Sequence, residues 1–363
     1  MKPHAWRRDL YATNLATIQA SHAAARRGPL RLARPTILPR PHGMPAMTRA
    51  SRSTGEQPGG DGTWQRFSHT GAGGSRAYFV YEPSGVAARG PVPLVVMLHG
   101  CTQSAADLAR STKMNEVADR HGFVVAYPQQ SGQHNGQGCW NWFLPAHQQR
   151  AAGEPAVIAG IAQAVAAGGS ETPIDPERIF LAGMSAGGAM AAILAANYPE
   201  LFAGLAVHSG LPYAAATSQE AAFRAMARGA RKGNGHAETL AAMGERRRPM
   251  PTIVIHGTSD SIVSPVNGAR LVEQWLGANT LAPHESLDGE LSRPSEVVRE
   301  QVTGGHAHTL SRWSDARGRS AVEYLEVAGL GHAWSGGAAG AAWSDARGPD
   351  ASEAIWRFFG ELP

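Results

Sequence analysis

From Trp64 to the end of the chain, short apolar runs alternate with longer stretches in which apolar positions recur at helical spacing. The runs Arg76 to Glu82 (RAYFVYE), Pro93 to Leu98 (PLVVML), Phe123 to Tyr127 (FVVAY), Ile179 to Ala182 (IFLA), Leu205 to His208, Thr252 to His256 (TIVIH) and Val322 to Val327 (VEYLEV) predict strands. Helices are expected near residues 105–120, 155–167, 186–198, 266–276 and 350–360. Near-continuous apolar strands separated by helices describe a doubly wound α/β fold, a mostly parallel sheet covered by helices on both faces. Such sheets bind ligands beyond the carboxyl ends of their strands. The stretch 277–318 is polar and poorly periodic, and is expected to be a long loop bordering the site.

The first 62 residues lack this pattern. They read as a basic extension followed by a Pro-, Gly- and Arg-rich linker, with the α/β unit over 63–363. Tyr11, Leu15, Ile18 and His22 fall at helical spacing, but the composition favours a loosely ordered arm. Residues 1–60 hold ten Lys or Arg against Asp9 and Glu56, so the net +4 of the 363-residue chain comes from the arm and the remainder is slightly acidic. No basic patch interleaved with aromatics lies in the body, and nucleic acid is not an expected partner. No apolar run reaches the ~18 residues that span a membrane. The twin arginines Arg7 and Arg8 have no apolar stretch behind them, which makes a poor export signal. At 43% hydrophobic and 17% charged, the chain has the means to bury a large core. Nothing in the pattern specifies an oligomeric state.

Candidate chemistry gathers where strands end. Ser185 lies in Gly183-Met-Ser-Ala-Gly187, after IFLA and at the head of a helical stretch. In a glycine-rich chain this motif is weak alone, but a strand before and a helix after it are the setting of a nucleophile elbow. Asp260 ends TIVIHGTSD, and His332 stands in GLGHAW after the strand VEYLEV. A serine hydroxyl needs a base, and that imidazole needs a carboxylate to fix its tautomer, so the order Ser185, Asp260, His332 reads as a hydrolase triad. Asp345 and Asp350 are rival acids, and His256 is expected to buttress the Asp260 loop. His99-Gly100-Cys101 follows a strand where an oxyanion loop belongs, so the backbone N–H groups of Cys101 and Ala186 are the expected donors, with His99 holding the loop. Trp140, Trp142, Trp334, Phe143 and Leu144 are expected to line an apolar cleft, with packing in the core the alternative for any one of them. His306 and His308 suggest a metal site only weakly, a solvated loop being the better reading.

The segments HGCTQ, GCWNWF (Gly138 to Phe143), GMSAGGAMAAILAANYPELFAG, IHGTSD, GLGHAWSGG and GPDASEAIWRFF together resemble the esterase family of short-chain-length polyhydroxyalkanoate depolymerases, the poly(3-hydroxybutyrate) type. The resemblance runs from about Arg76 to Phe359. It implies an α/β-hydrolase fold, no metal or organic cofactor, a triad on Ser185, Asp260 and His332, an oxyanion loop on His99 to Cys101, and substrate-facing Trp140 and Trp142. The implied substrate is a polyester of 3-hydroxyacids or its oligomers, with feruloyl or acetyl-xylan esters as the alternative. A non-catalytic granule-binding protein is a second alternative, disfavoured by the triad order. The basic extension falls outside the resemblance, and no appended polymer-binding domain is expected, which argues against crystalline polymer and leaves amorphous polymer, granules or soluble oligomers open. Cys101 and Cys139 lie past the carboxyl ends of neighbouring strands and are expected to form a disulfide, in agreement with the resemblance; two buried thiols are the alternative. A disulfide favours an oxidising compartment, whereas the amino terminus reads as unexported, so compartment is left open.

Overall fold

The computed structural model describes residues 57–362 except 234, 283–292 and 316. The expected basic arm therefore lies outside the described residues up to position 56. The chain enters as an antiparallel hairpin, β1 (Thr63–Gly71) and β2 (Gly74–Glu82), whose register runs from Thr63 opposite Glu82 to Gly71 opposite Gly74. β3 (Val92–Leu98), β4 (Val124–Pro128), β5 (Ile174–Met184), β6 (Gly204–His208), β7 (Thr252–Gly257), β8 (Glu296–Gln301), β9 (Ala307–Ser314) and β10 (Ser320–Val327) complete one sheet. Among the described residues its order is β1-β2-β4-β3-β5-β6-β7-β10-β9-β8. The stretch from β4 to β10 is parallel, and antiparallel strands close both edges. The central parallel strands β3, β4, β6 and β7 are buried along their whole length, as two-sided coverage requires.

Helices α1 (Ala105–Thr112), α2 (Met114–His121) and α8 (Ala351–Gly360) pack on one face, where Leu108, Val117, Phe180, Phe358 and Phe359 share a core. Helices α3 (Gly153–Ala164), α4 (Ala186–Asn197) and α7 (Val266–Leu281) cover the other, with Ile158, Leu194, Leu205 and Trp275 in its core. Two further helices, α5 (Gln219–Arg228) and α6 (Gly235–Met243), sit beside α7.

Two expectations are corrected here. The single helix over 105–120 is broken at Lys113, whose φ of 56° lies in the left-handed region. The first half is a separate unit with its own start, because the Ser104 hydroxyl accepts the Asp107 N–H at 3.1 Å while Asp107 accepts the Ser104 N–H at 2.9 Å. The long loop over 277–318 is in part a hairpin: β8 pairs with β9, and β9 pairs with β10 from Ser314 opposite Ser320 to His308 opposite Val327. β8 is an edge strand exposed along nearly all its length, so backbone pairing forms it without the apolar alternation by which strands are recognised.

Candidate active site

β5 delivers Ser185 to the start of α4. Its backbone sits at φ 57°, ψ −120°, a strained conformation held by the Ser185 N–H donating to the His208 carbonyl at 3.0 Å and by the Ala189 N–H donating to the Ser185 carbonyl at 3.0 Å. The elbow demands glycine at two places. A Cβ on Gly183 would stand 2.4 Å from the Gly187 carbonyl oxygen, and one on Gly187 would stand 2.1 Å from that of Leu98. α4 behind the elbow is buried at all twelve positions, so the turn is clamped between sheet and core. As the first helical residue, Ala186 has no intrahelical acceptor for its N–H, and the helix terminus carries partial positive charge beside the serine.

The loop after β3 abuts the same serine: a Cβ on Gly100 would lie 3.4 Å from Ser185 Cβ. His99 is fully buried and braces this loop, its Nδ1–H donating to the Gly100 carbonyl at 2.8 Å while its Nε2 accepts the Gln130 N–H at 3.1 Å. Burial pushes its pKa down to about 4, so the ring is neutral, as that pattern of one donor and one acceptor needs. The Gly100 N–H donates to Gln103 Oε1 at 2.9 Å, and Cys101 is joined to Cys139 by a disulfide. The far side of that bond is anchored by Glu154 on α3. Its carboxylate accepts the Asn141 backbone N–H at 2.7 Å, the Asn141 side-chain amide at 2.9 Å and the Gln130 amide, and pairs with Arg76 at 3.3 Å.

Past β7, Asp260 Oδ1 accepts the N–H groups of Ile262 and Val263, each at 2.9 Å, which aims Oδ2 outward. His332 Nδ1 lies 2.7 Å from that Oδ2. Burial alone pushes the Asp260 carboxyl up, but hydrogen bonds from His256 and His332 and their charge hold it well below the usual carboxylate range. His256 donates from Nε2 to the Val263 carbonyl at 3.0 Å and stands 3.4 Å from Asp260 Oδ2, the buttressing place expected for it. The loops carrying Asp260 and His332 are stitched together by the Thr258 and Ser259 N–H groups donating to the Val327 and Leu330 carbonyls.

The structure thus brings Asp260 and His332 into contact and sets the 99–101 loop against Ser185. It does not place the rival acids there. Asp345 is held by Arg347 at 2.7 Å and by His306 at 3.1 Å, and Asp350 caps α8 through the Ser352 and Glu353 N–H groups. The expected aromatic cleft wall is corrected: Trp140, Trp142 and Trp334 are 0%, 4% and 0% exposed and serve as core. Trp140 packs on His99, Trp142 packs edge-on to Phe143, and Trp334 stacks on His208 and donates to Ser352 Oγ at 3.1 Å. The aromatic that does border His332 is the half-buried Trp343, edge-on at 5.9 Å between ring centroids and with φ at 59°. Spacing gave no sign of it, because only the pairing of β11 (Trp334–Ser335) with β12 (Ser344–Asp345) folds it back beside the imidazole. His306 and His308 each face a single carboxylate, Asp345 and Glu300, and the described residues contain no cluster of three metal-ligating side chains.

The profile of the family described as Esterase PHB depolymerase matches residues 76–286. The chain belongs to that family. Poly(3-hydroxyalkanoate) depolymerase C of Paucimonas lemoignei is 37% identical over 268 residues, covering 71% of this chain and 58% of that protein, so the chain spans little more than half of this relative. Feruloyl esterase B of Neurospora crassa is 29% identical over 264 residues, covering 70% of this chain and 82% of that one. Among solved structures, an acetyl xylan esterase from Aspergillus awamori superposes with a TM-score of 0.63 at 21% identity, covering 83% of this chain and all of the other, which establishes the α/β-hydrolase fold of this esterase family member.

Proposed function

We propose that this esterase-family chain is a serine hydrolase that cleaves short-chain polyhydroxyalkanoate, such as poly(3-hydroxybutyrate) or its oligomers, through an acyl-enzyme. One observation carries the mechanism: a buried, ionised Asp260 bonded to His332 Nδ1 at 2.7 Å, on the same sheet end as a serine in a strained elbow. In this scheme the Asp260 bond keeps the Nδ1 proton in place and leaves His332 Nε2 as the base. Nε2 takes the Ser185 proton as Oγ bonds the ester carbonyl carbon. The resulting oxyanion is met by the N–H groups of Cys101 and Ala186 and by the amino terminus of α4. When the carbon–oxygen bond to the alcohol breaks, the imidazolium returns its proton to that alcohol. Water, deprotonated by the same ring, then attacks the acyl carbon; as the bond to Ser185 Oγ breaks, the imidazolium passes the proton to that oxygen, releasing the hydroxyacid and free Ser185. Asp260 stays ionised throughout, its charge matched by the imidazolium it stabilises.

The substrate assignment is supported by the family and by the Paucimonas lemoignei relative. A carbohydrate ester is the second reading, favoured by the larger share of the feruloyl esterase that the chain covers. The test incubates the protein in parallel with poly(3-hydroxybutyrate), a feruloylated sugar and acetylated xylan, with mass analysis of products. Release of 3-hydroxybutyrate or its oligomers is the expected result; release of ferulate or acetate alone overturns the polyester assignment. Ser185→Ala is expected to lower turnover of p-nitrophenyl butyrate by several orders of magnitude and to abolish labelling by an organophosphonate, with folding intact. Labelling that survives at the site overturns the choice of nucleophile.

A further inference from the structure

Behind the Ser185 elbow stands an imidazole to which the hydrolytic scheme gives no task. His208 closes β6 and is fully buried. Its carbonyl accepts the Ser185 N–H at 3.0 Å, and its ring Nε2 lies 3.1 Å from the backbone nitrogen of Ser335, three residues beyond His332. Nδ1 stands 3.1 Å from Ser209 Oγ, and the ring stacks on Trp334 with centroids 4.8 Å apart. A peptide N–H only donates, so Nε2 must accept, and the single proton of a neutral ring then sits on Nδ1 and points to Ser209 Oγ. One residue therefore touches both halves of the site, the serine through its backbone and the segment carrying His332 through its side chain.

We propose that His208 is a positioning residue of the hydrolytic site, a permanently neutral imidazole protonated on Nδ1 that ties the His332 loop to the strand end holding Ser185. The proposal rests on the roles given above to Ser185 and His332. Burial is the main force keeping the ring neutral, pushing its pKa down to about 3; His256 on β7 and His332 act in the same direction when charged, and Asp260 opposes them. Neutrality suits the reaction, because His332 becomes a cation in both half-reactions and a second cation beside it would oppose that step. An apolar side chain at 208 would leave the Ser335 N–H buried without its acceptor and free the loop to shift.

Two independent readouts test this. In protein labelled with 15N-histidine, with the His208 signals assigned by their loss in His208→Gln, the ring is expected to keep a neutral Nδ1–H pattern from about pH 5 to about pH 9. A ring that protonates in this range, or carries its proton on Nε2, overturns the proposal. In kinetics with p-nitrophenyl butyrate, His208→Gln retains an acceptor oxygen near the position of Nε2 and is expected to keep kcat within about tenfold. His208→Leu lacks it and is expected to lose roughly a hundredfold in kcat with KM within about threefold, the scale of a misplaced catalytic group. Equal loss in the two variants, or wild-type kcat in a folded His208→Leu, overturns the proposal. If the leucine variant does not fold, the ring's tautomer and the activity of His208→Gln decide it. Turnover surviving in Ser185→Ala is a separate failure, of the underlying assignment, and is read without reference to position 208.

Discussion

At the scale of single residues, the proposed chemistry depends on which proton each buried imidazole carries. His99, His208 and His332 are each fixed by one bond to a donor or acceptor that leaves no choice of tautomer for a neutral ring. For His332 that bond is to Asp260, so Asp260→Asn is expected to lower kcat by a factor on the order of 10⁴ while folding is retained, because an amide in its place permits the opposite tautomer. Near-normal turnover would pass the carboxylate role to another acid. Glu154 gives a second residue-scale test. Burial pushes its carboxyl up, but His147, the Asn141 N–H and the Gln130 amide outweigh this and bring it below the usual value. A depressed folded pKa contributes stability above the ordinary glutamate range near about 4.3, and that stability is lost as pH falls through the folded value. Glu154→Gln is therefore expected to be less stable at pH 7, by about 3 kcal/mol, and to show a flatter decline of Tm on acidification. Parallel Tm curves for the two proteins would rule out an ionised Glu154 as the anchor.

At the scale of elements, the disulfide joins two connections that leave the sheet separately, the 99–101 loop after β3 and the Cys139–Phe143 segment after β4. Its 38-residue separation corresponds, in the chain-entropy view, to about 4 kcal/mol of stabilisation. The double variant Cys101→Ser, Cys139→Ser is expected to lose stability on this scale in denaturant unfolding. It is also expected to lose kcat more than it raises KM, because Cys101 carries a proposed oxyanion donor. Unchanged kcat would separate the bond from the donor geometry. Thiol titration of the denatured, unreduced protein checks the bond itself, with no free thiol expected.

At the scale of the whole molecule, the described candidate residues and the described contacts that hold them lie between His99 and Trp343. Removing residues 1–56 is expected to leave hydrolysis of a soluble ester and Tm unchanged, measured side by side with the full chain. A large fall in Tm would assign the arm a place against the α/β unit. Among the described residues no helix is long and apolar enough to cross a membrane. The carboxyl ends of β3, β5, β7 and β10 bring the 99–101 loop, Ser185, Asp260 and His332 to one rim of the sheet, although these residues are spread over more than two hundred positions.

The central parallel strands, and the candidate residues just past their ends, were readable in the sequence. Apolar runs marked the central strands because two-sided burial leaves few polar positions in them, and the candidates Ser185, Asp260 and His332 stood out because each follows such a run. What failed to show was whatever depends on partners distant in the chain. β8 and β9 form because β10 offers a paired edge, and Trp140, Trp142 and Trp334 are core because neighbouring layers close over them. An aromatic side chain favours a core and a cleft for the same reason, loss of water from its surface, so composition cannot separate the two. Trp343 beside His332, and His208 between the Ser185 elbow and the His332 segment, were likewise set by tertiary contacts, since a contact between strand ends leaves no period in the sequence.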